Sequence, residues 1–211
     1  NYVFHLATHF ISDHKSNDID QIIRSNILLG THLAEVLSSR KEKKLVNIGT
    51  SWQHYNDSDY SPVNLYSATK KAFEDILLYY HEAMNLNVIN IKLFDTYGTM
   101  DTRRKLFYLL RRAHEKNEDI CMSEGEQLID ILNVKDVVRG LQKSLTLFRE
   151  EETIFKDFTL NSDKIISLRN LVEIYEEVLG YKLRIDWGCK EYKAREVMKP
   201  WSLGNRMPGW E

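Results

Sequence analysis

The sequence predicts an α/β fold, a doubly wound parallel sheet with helices on both faces, and three observations lead there. Short apolar runs alternate with longer amphipathic stretches along the 211 residues, the pattern of repeated strand–helix units. The runs end abruptly in small or polar residues, at His5-Leu-Ala-Thr8, Gly49-Thr50-Ser51 and Asp95-Thr-Tyr-Gly98. Ligands of open parallel sheets bind at the carboxyl ends of strands, so these three segments mark a candidate site. The 43% apolar and 28% charged fractions are those of an ordinary globular domain with enough apolar surface to bury a core.

Taken in order, Tyr2 to Leu6 reads as a buried first strand. The stretch from about Asp18 to Ser38 carries Ile19, Ile22, Ile23, Ile27, Leu33 and Leu37 at helical spacing. Leu45 to Ile48 is a second strand, followed by a polar loop rich in Asn, Asp and Ser. A helix spans about Asn64 to Met84, and Val88 to Leu93 is a third strand. Beyond Gly98 a basic helix is expected from about Thr102 to Lys116, then two short apolar runs, Asp119 to Met122 and Leu128 to Leu132. Val134 to Leu147 reads as a helix with Asp136 in its first turn, where a carboxylate suits the positive helix end. Phe155 to Leu160 is a strand, and Ser167 to Leu179 is a helix stopped by Gly180. Leu183 to Asp186 is a further strand, and the tail from Lys190 is irregular. The expected division is a sheet domain of residues 1–94 and 133–160 and a small lobe of residues 95–132 and 161–211.

A net charge of −2 gives no attraction for nucleic acid or membrane surfaces. No apolar run approaches the roughly 20 residues of a spanning helix. Cys121 and Cys189 lack the spacing of a disulfide framework or zinc site, which predicts two free thiols in a cytoplasmic protein. His5, His9 and His14 have no carboxylate or Cys at ligand spacing, so no metal site is expected. The sequence opens on Asn1 directly before an apolar strand and stops at Met207-Pro-Gly-Trp-Glu211. It reads as an excerpt of a longer chain.

Chemistry concentrates at Tyr66-Ser-Ala-Thr-Lys70, fifteen residues after Ser51. Residues four apart on a helix share a face, so Lys70 lies one turn above Tyr66. A cation there favours the phenolate and lowers a pKa that is ordinarily about 10. Ser51, with Thr50 as its rival, could hold a substrate oxygen against the phenol. The pentapeptide alone is short enough to arise by chance, so its weight comes from the strand ends around it. The plain alternatives are a half-buried aromatic at Tyr66, a solvated Lys70 and strand-terminating hydroxyls at Thr50 and Ser51.

Together these segments resemble the extended short-chain dehydrogenase/reductase family, in its nucleotide-sugar epimerase/dehydratase branch. His5-Leu-Ala-Thr8 is similar to the family's His-Leu-Ala-Ala strand end, and Asn26 and Thr31 to the Asn and Thr of the following helix. Ser51 stands where the catalytic Ser or Thr is found, and Tyr66 and Lys70 match the catalytic pair. Asp95-Thr-Tyr-Gly98 resembles the Asn-x-Tyr-Gly segment, and residues 130–136 its Asp-containing strand and helix start. Gly49-Thr-Ser-Trp-Gln-His-Tyr55, Pro62-Val-Asn-Leu-Tyr66 and Ser123-Glu-Gly-Glu-Gln127 look most like CDP-abequose- and CDP-paratose-synthase-like C4 reductases.

The resemblance implies a Rossmann-like fold, N-terminally incomplete because the family's Gly-rich phosphate loop lies upstream of what is present. It implies an NADP or NAD cofactor, a nucleotide-sugar substrate, and reduction of a C4 ketone in surface-polysaccharide sugar synthesis. Epimerase or dehydratase chemistry, or a silent nucleotide-binding module, are the alternatives. Ser51, Tyr66 and Lys70 would be catalytic. Leu6, Ala7, Thr8, Asn26 and Leu93 would join Tyr66 and Lys70 around the cofactor, with Asn26 supporting the site's backbone or waters. Thr50, Trp52, Gln53, Asp95, Arg103, Lys105 and Arg195 would meet the substrate. Two departures bear on the chemistry. Dehydratases place Asp-Glu after the catalytic Thr, whereas Trp52-Gln53 follow Ser51 here and cannot shuttle a proton. Ile129 replaces the Arg expected near the nucleotide phosphates. A homodimer is implied too, through helices 18–38 and 64–84, with Ile76, Leu77 and Tyr80 compatible with its interface.

Overall fold

The computed structural model describes residues 1–99, 101–162 and 164–210. The chain begins with strand β1 (Val3–His5) and a helical stretch built from α1 (Ile19–Ile23), a π turn (Arg24–Leu28) and α2 (Leu29–Ser38). Next come β2 (Lys44–Thr50), α3 (Leu65–Met84) and β3 (Asn87–Leu93). Then follow β4 (Asp95–Tyr97), α4 (Leu106–Lys116), β5 (Ile120–Met122), β6 (Leu128–Asn133), α5 (Val134–Glu150) and β7 (Phe155–Leu160). The last elements are β8 (Ile165–Ser167), α6 (Leu168–Leu179) and β9 (Ile185–Trp187).

The main sheet is parallel throughout, in the order β1-β2-β3-β7. One face packs under α5, where Val46, Ile89, Ile91, Phe158 and Leu160 meet Val137 and Phe148. The other face packs under α2 and α3, where Leu45 and Val88 meet Ala34, Phe73 and Leu77. Helix α2 comes so near α3 that a Cβ on Gly30 would lie 2.5 Å from the Phe73 ring. A third cluster, Leu110, Leu168, Val172 and Leu183, builds a lobe around β4-β6-β8 and the pair β5-β9.

Caps explain where α3 starts and stops. Asn64 Oδ1 accepts the Ser67 backbone N–H at 3.0 Å, and Ser67 Oγ accepts that of Asn64 at 3.1 Å, two otherwise orphaned donors satisfied together. At the other end Asn85 turns left-handed, φ +57°, one of the few residues that do so readily. The π turn holds Asn26 on the buried side of its helix, and such single-turn widenings recur at functional sites.

Strand register sets His5, Asn47, Asn90 and Asp157 opposite one another across all four main strands. Asn47 Nδ2 donates to Asn90 Oδ1 at 2.9 Å, and Asn90 Nδ2 donates to Asp157 Oδ1 at 2.8 Å. His5 Nδ1 lies 3.2 Å from Asn47 Oδ1. Because that oxygen can only accept, the proton sits on Nδ1, and His5 Nε2 is left buried without a partner.

Several expectations are corrected. The three residues Asp95–Tyr97 do not merely close the third strand but form β4 of the second sheet, parallel to β6. The first strand is an edge: only His5 within it is buried, and Phe4 is exposed. Leu77 and Tyr80 belong to the chain's own core and cannot face a partner. The tail from Lys190 is irregular, as expected, but packed: Met207 and Trp210 are buried in the α5-side core, and Thr159 pairs with the backbone of Asn205 and Met207. Among the described residues no helix is long and apolar enough to cross a membrane.

Cys121 and Cys189 are joined as a disulfide, with Cα atoms 5.5 Å apart, not held as free thiols. Their sequence separation of 68 conceals the proximity. Strand β5 pairs with β9, and Gly188, at φ +85°, turns the chain so that Cys189 returns over Cys121. In the chain-entropy picture a bond closing so long a loop stabilises by about 4 kcal/mol. Cys189→Ser is expected to lower stability by about that amount under oxidising conditions and by almost nothing with excess dithiothreitol, as read by chemical denaturation.

Candidate active site

At the carboxyl edge of the main sheet a cavity of about 670 Å³ opens between the sheet and the second lobe. The ends of β1, β2 and β3 supply its floor through Leu6, Thr8, Ile48, Thr50 and Leu93. Ser51 and Trp52, in the single 3-10 turn after β2, and Tyr66, in the first turn of α3, complete that side. Asp95, Arg103 and Lys105 line the opposite side with Phe107 of α4. A second cavity of about 390 Å³ shares the wall made by Ser12, Ser51, Trp52, Phe94 and Asp95. Arg195 lines that one, with Asp13, Asn64 and Lys193.

Tyr66 is almost buried, its ring edge-on to Phe10 at 4.9 Å. Burial pushes its phenol up to about 12, against the opposing pull of a hydrogen bond shared with Thr8 and the charge of Arg103. The expected lowering by Lys70 is therefore not seen. At neutral pH the phenol keeps its proton. Lys70, 2% exposed, is driven down to about 8 by burial, with Glu74 opposing the fall. It makes no hydrogen bond or ion pair with any described residue. It lies outside the cavity lining, and a buried ammonium without a hydrogen-bond partner costs stability unless a ligand meets it.

Thr50 Oγ1 accepts the Trp52 N–H at 3.3 Å and caps the turn that carries Ser51. Trp52 packs against Phe10. Asp95 lies deep in the cleft, its side chain open to the cavity, and its carboxyl is raised by burial with Lys105 and Arg103 pulling back. Arg103 is held by Asp101 at 2.6 Å. Lys105 sits at the start of α4 with its ammonium 5.8 Å over the Phe10 ring. Arg195 donates to Ser61 Oγ at 2.7 Å and stacks over Tyr55.

Two further expected contacts with the cavity are not made, those of Gln53 and Ala7. Gln53 is fully buried behind the turn and cannot touch a substrate; its side chain donates to Glu74 instead. Asn26, 1% exposed, supports the backbone of the site from behind the cavity, as the resemblance implies. Its Oδ1 accepts from the His9 N–H at 2.7 Å and from Thr8 Oγ1 at 2.9 Å, and its Nδ2 donates to His9 O and Thr69 Oγ1. It thus shapes the loop after β1, which carries Thr8. Ala7 is exposed outside the cavity lining. Phe10, which touches Trp52 and Tyr66 and lies under Lys105, was not singled out by the sequence, where it is one apolar residue in a polar loop. Glu74 was legible in principle, four residues after Lys70 on the same helix face.

Comparisons with known proteins bear on the family and the fold. The profile of the NAD dependent epimerase/dehydratase family matches residues 1–156. A CDP-abequose synthase from Salmonella muenchen is 25% identical over 198 residues, covering 92% of this chain and 67% of that protein. A UDP-glucuronate 4-epimerase from Thermodesulfobacterium geofontis is 24% identical, covering 90% of this chain and 60% of that one. The solved UDP-glucuronic acid 4-epimerase of Bacillus cereus, in complex with UDP-glucuronic acid and NAD, superposes with a TM-score of 0.84 at 19% identity. It covers 94% of this chain and 65% of its own. The chain spans about two thirds of the length of these relatives.

The fold holds Lys70 at about 8 against 10.5 for a free side chain. Between those values the unfolded chain binds more protons, so stability rises with pH across the window, and the full penalty is present below it. Lys70→Met is expected to stabilise the cofactor-free protein at neutral pH by roughly 1–3 kcal/mol. The same change should abolish the rise in stability between pH 8 and 10.5, as urea unfolding at several pH values will show.

Proposed function

The chain belongs to the NAD dependent epimerase/dehydratase family, and within it we propose that it reduces the C4 ketone of a nucleotide-activated, CDP-linked deoxyhexose using NADPH or NADH. The observation that carries the reading is the turn after β2. Ser51 and the protonated Tyr66 share one cavity wall, and the residues that follow Ser51 are an indole and a fully buried amide. Neither can deprotonate a sugar carbon, so the base that dehydratases carry directly after the catalytic hydroxyl is missing, whereas a ketone needs only a proton donor and a hydride.

The cofactor's nicotinamide end would lie over Leu6, Ile48 and Leu93, with Lys70 available to its ribose hydroxyls; when bound in reduced form it supplies the hydride. Ser51 donates a hydrogen bond to the C4 oxygen and holds it toward Tyr66. The Tyr66 phenol gives its proton to that oxygen as negative charge develops there. Held near 12, the phenol carries the proton to be given, and charge on the bound ligands must bring it down toward working pH for the transfer. The charge of Arg103 and the hydroxyl of Thr8 then steady the phenolate. Asp95, with Trp52, faces the sugar and accepts from its hydroxyls. Arg103, Lys105 and Arg195 are the cations available to diphosphate oxygens.

The similarity to UDP-glucuronate 4-epimerases favours a second reading, in which the same phenol serves epimerisation with the cofactor retained. A homodimer belongs to the proposal, on a face of α1, α2 and α3 where Ile19, Ile23, Val36 and Leu78 are exposed. So does a cytoplasmic location, where the Cys121–Cys189 bond would be held reduced.

A purified enzyme given a CDP-4-keto-deoxyhexose is expected to oxidise one NADPH per turnover. Tyr66→Phe should lower kcat by about 10²–10⁴-fold with cofactor binding kept. Interconversion of sugars without net cofactor oxidation would replace the reductase by the epimerase. An unimpaired Tyr66→Phe variant would remove both.

A further inference from the structure

We propose that Gln53 and Glu74 are positioning residues: they clamp the turn that carries Ser51 onto the helix that carries Tyr66 and Lys70, and so fix Ser51 against Tyr66. For the reaction affected, the inference rests on the function proposed above; for the clamp itself, it rests on geometry alone.

Ser51 and Tyr66 stand on different elements, joined by a polar loop. Two fully or almost fully buried side chains bridge them. Gln53 Oε1 accepts the Thr50 N–H at 3.0 Å, tying the amide to the residue before Ser51. Gln53 Nε2 donates to Glu74 Oε2 at 3.0 Å. Glu74, 2% exposed, lies one helical turn beyond Lys70 and two beyond Tyr66, on the same face. The carboxylate is anchored in turn, with Lys92 Nζ 3.5 Å away and that ammonium 3.0 Å from Asp157. Asp157 ends the row of amides that crosses the sheet from His5. The clamp is thus braced against β3 and β7 as well as against α3.

Gly49 reports how closely the parts are fitted. A Cβ there would lie 2.8 Å from Glu74 Oε1 and 2.9 Å from Gln53 Oε1, both buried against the β2 backbone. Only glycine lets the pair reach that strand. A carboxylate and an amide buried together are poor choices for stability alone, since apolar residues of similar volume serve as well or better. What they supply is direction: each bond has one donor and one acceptor at a defined place. Misplacing a catalytic group by about 1 Å costs on the order of 10²-fold in rate.

Exchanging the two residues tests this on the full-length enzyme. Gln53→Glu sets two buried carboxylates against each other and should pry the turn from α3. The expected result is a kcat lowered about 30–100-fold with KM within about threefold, and faster hydrogen–deuterium exchange over residues 50–55. The double variant Gln53→Glu/Glu74→Gln restores a donor–acceptor pair with the roles reversed. It should recover kcat to within about fivefold of the parent and return the exchange rates to normal. If Gln53→Glu does not fold, Gln53→Leu, which removes both bonds without adding charge, should show the same kcat loss at preserved KM. A folded single variant with parental kcat overturns the proposal, as does a double variant no better than Gln53→Glu. Parent enzyme without ketone reduction overturns the functional reading instead, and amide exchange then decides the clamp: unchanged protection of residues 50–55 in Gln53→Glu or Gln53→Leu refutes it.

Discussion

Two asparagine amides sit in the middle of the main sheet, and they can be buried there only because strand register sets a partner beside each. Asn47 and Asn90 are both about 1% exposed or less, and an unpaired amide at that depth costs a few kcal/mol. A one-residue slip of β2 or β3 would turn these amides to the opposite face and bring apolar side chains into their places. The row from His5 to Asp157 therefore penalises every register but one. What lies at the carboxyl ends of the strands inherits that alignment: Thr8, Thr50 and Leu93 come to one level because the residues below them are locked together. The cleft is organised from inside the sheet outward.

A similar division of labour runs through the helices. Tyr66 meets the cleft from α3, with Lys70 one turn behind it, and the helix's first turn is fixed by the reciprocal Asn64–Ser67 cap. Asn26 comes from a helix whose regular winding is broken by a π turn, and it spends all its hydrogen-bonding capacity on the loop after β1 and on Thr69 of α3. Burying Lys70 without an ion pair works against stability and leaves a cation in reserve for a ligand, the kind of compromise expected where function and folding compete.

Much of this was legible in the residues and some was not, for identifiable reasons. Strands β2, β3 and β7 announce themselves by apolar-rich runs and helix α3 by its apolar spacing, and they lie within a residue or two of where the pattern puts them. Strands β4 and β8 are three residues each, too short for any periodicity. Periodicity marks Leu77 and Tyr80 as apolar, yet it cannot tell core from interface on a helix with more than one apolar stripe. Thr50, Ser51, Trp52 and Tyr66 could be placed near one another because strand ends gather at one edge. Gln53 could not, since the direction of a side chain in a single 3-10 turn depends on what it finds to bond, here Glu74 on another element.

The bond between Cys121 and Cys189 has a topological meaning beyond its contribution to stability. It turns residues 121–189 into a covalent ring, and that ring carries β6, α5, β7, β8, α6 and β9, parts of both the main sheet and the smaller lobe. While the ring is closed, a single cleavage anywhere inside it opens a gap but releases no fragment. The two layers of the molecule stay chained to each other until the bond is reduced.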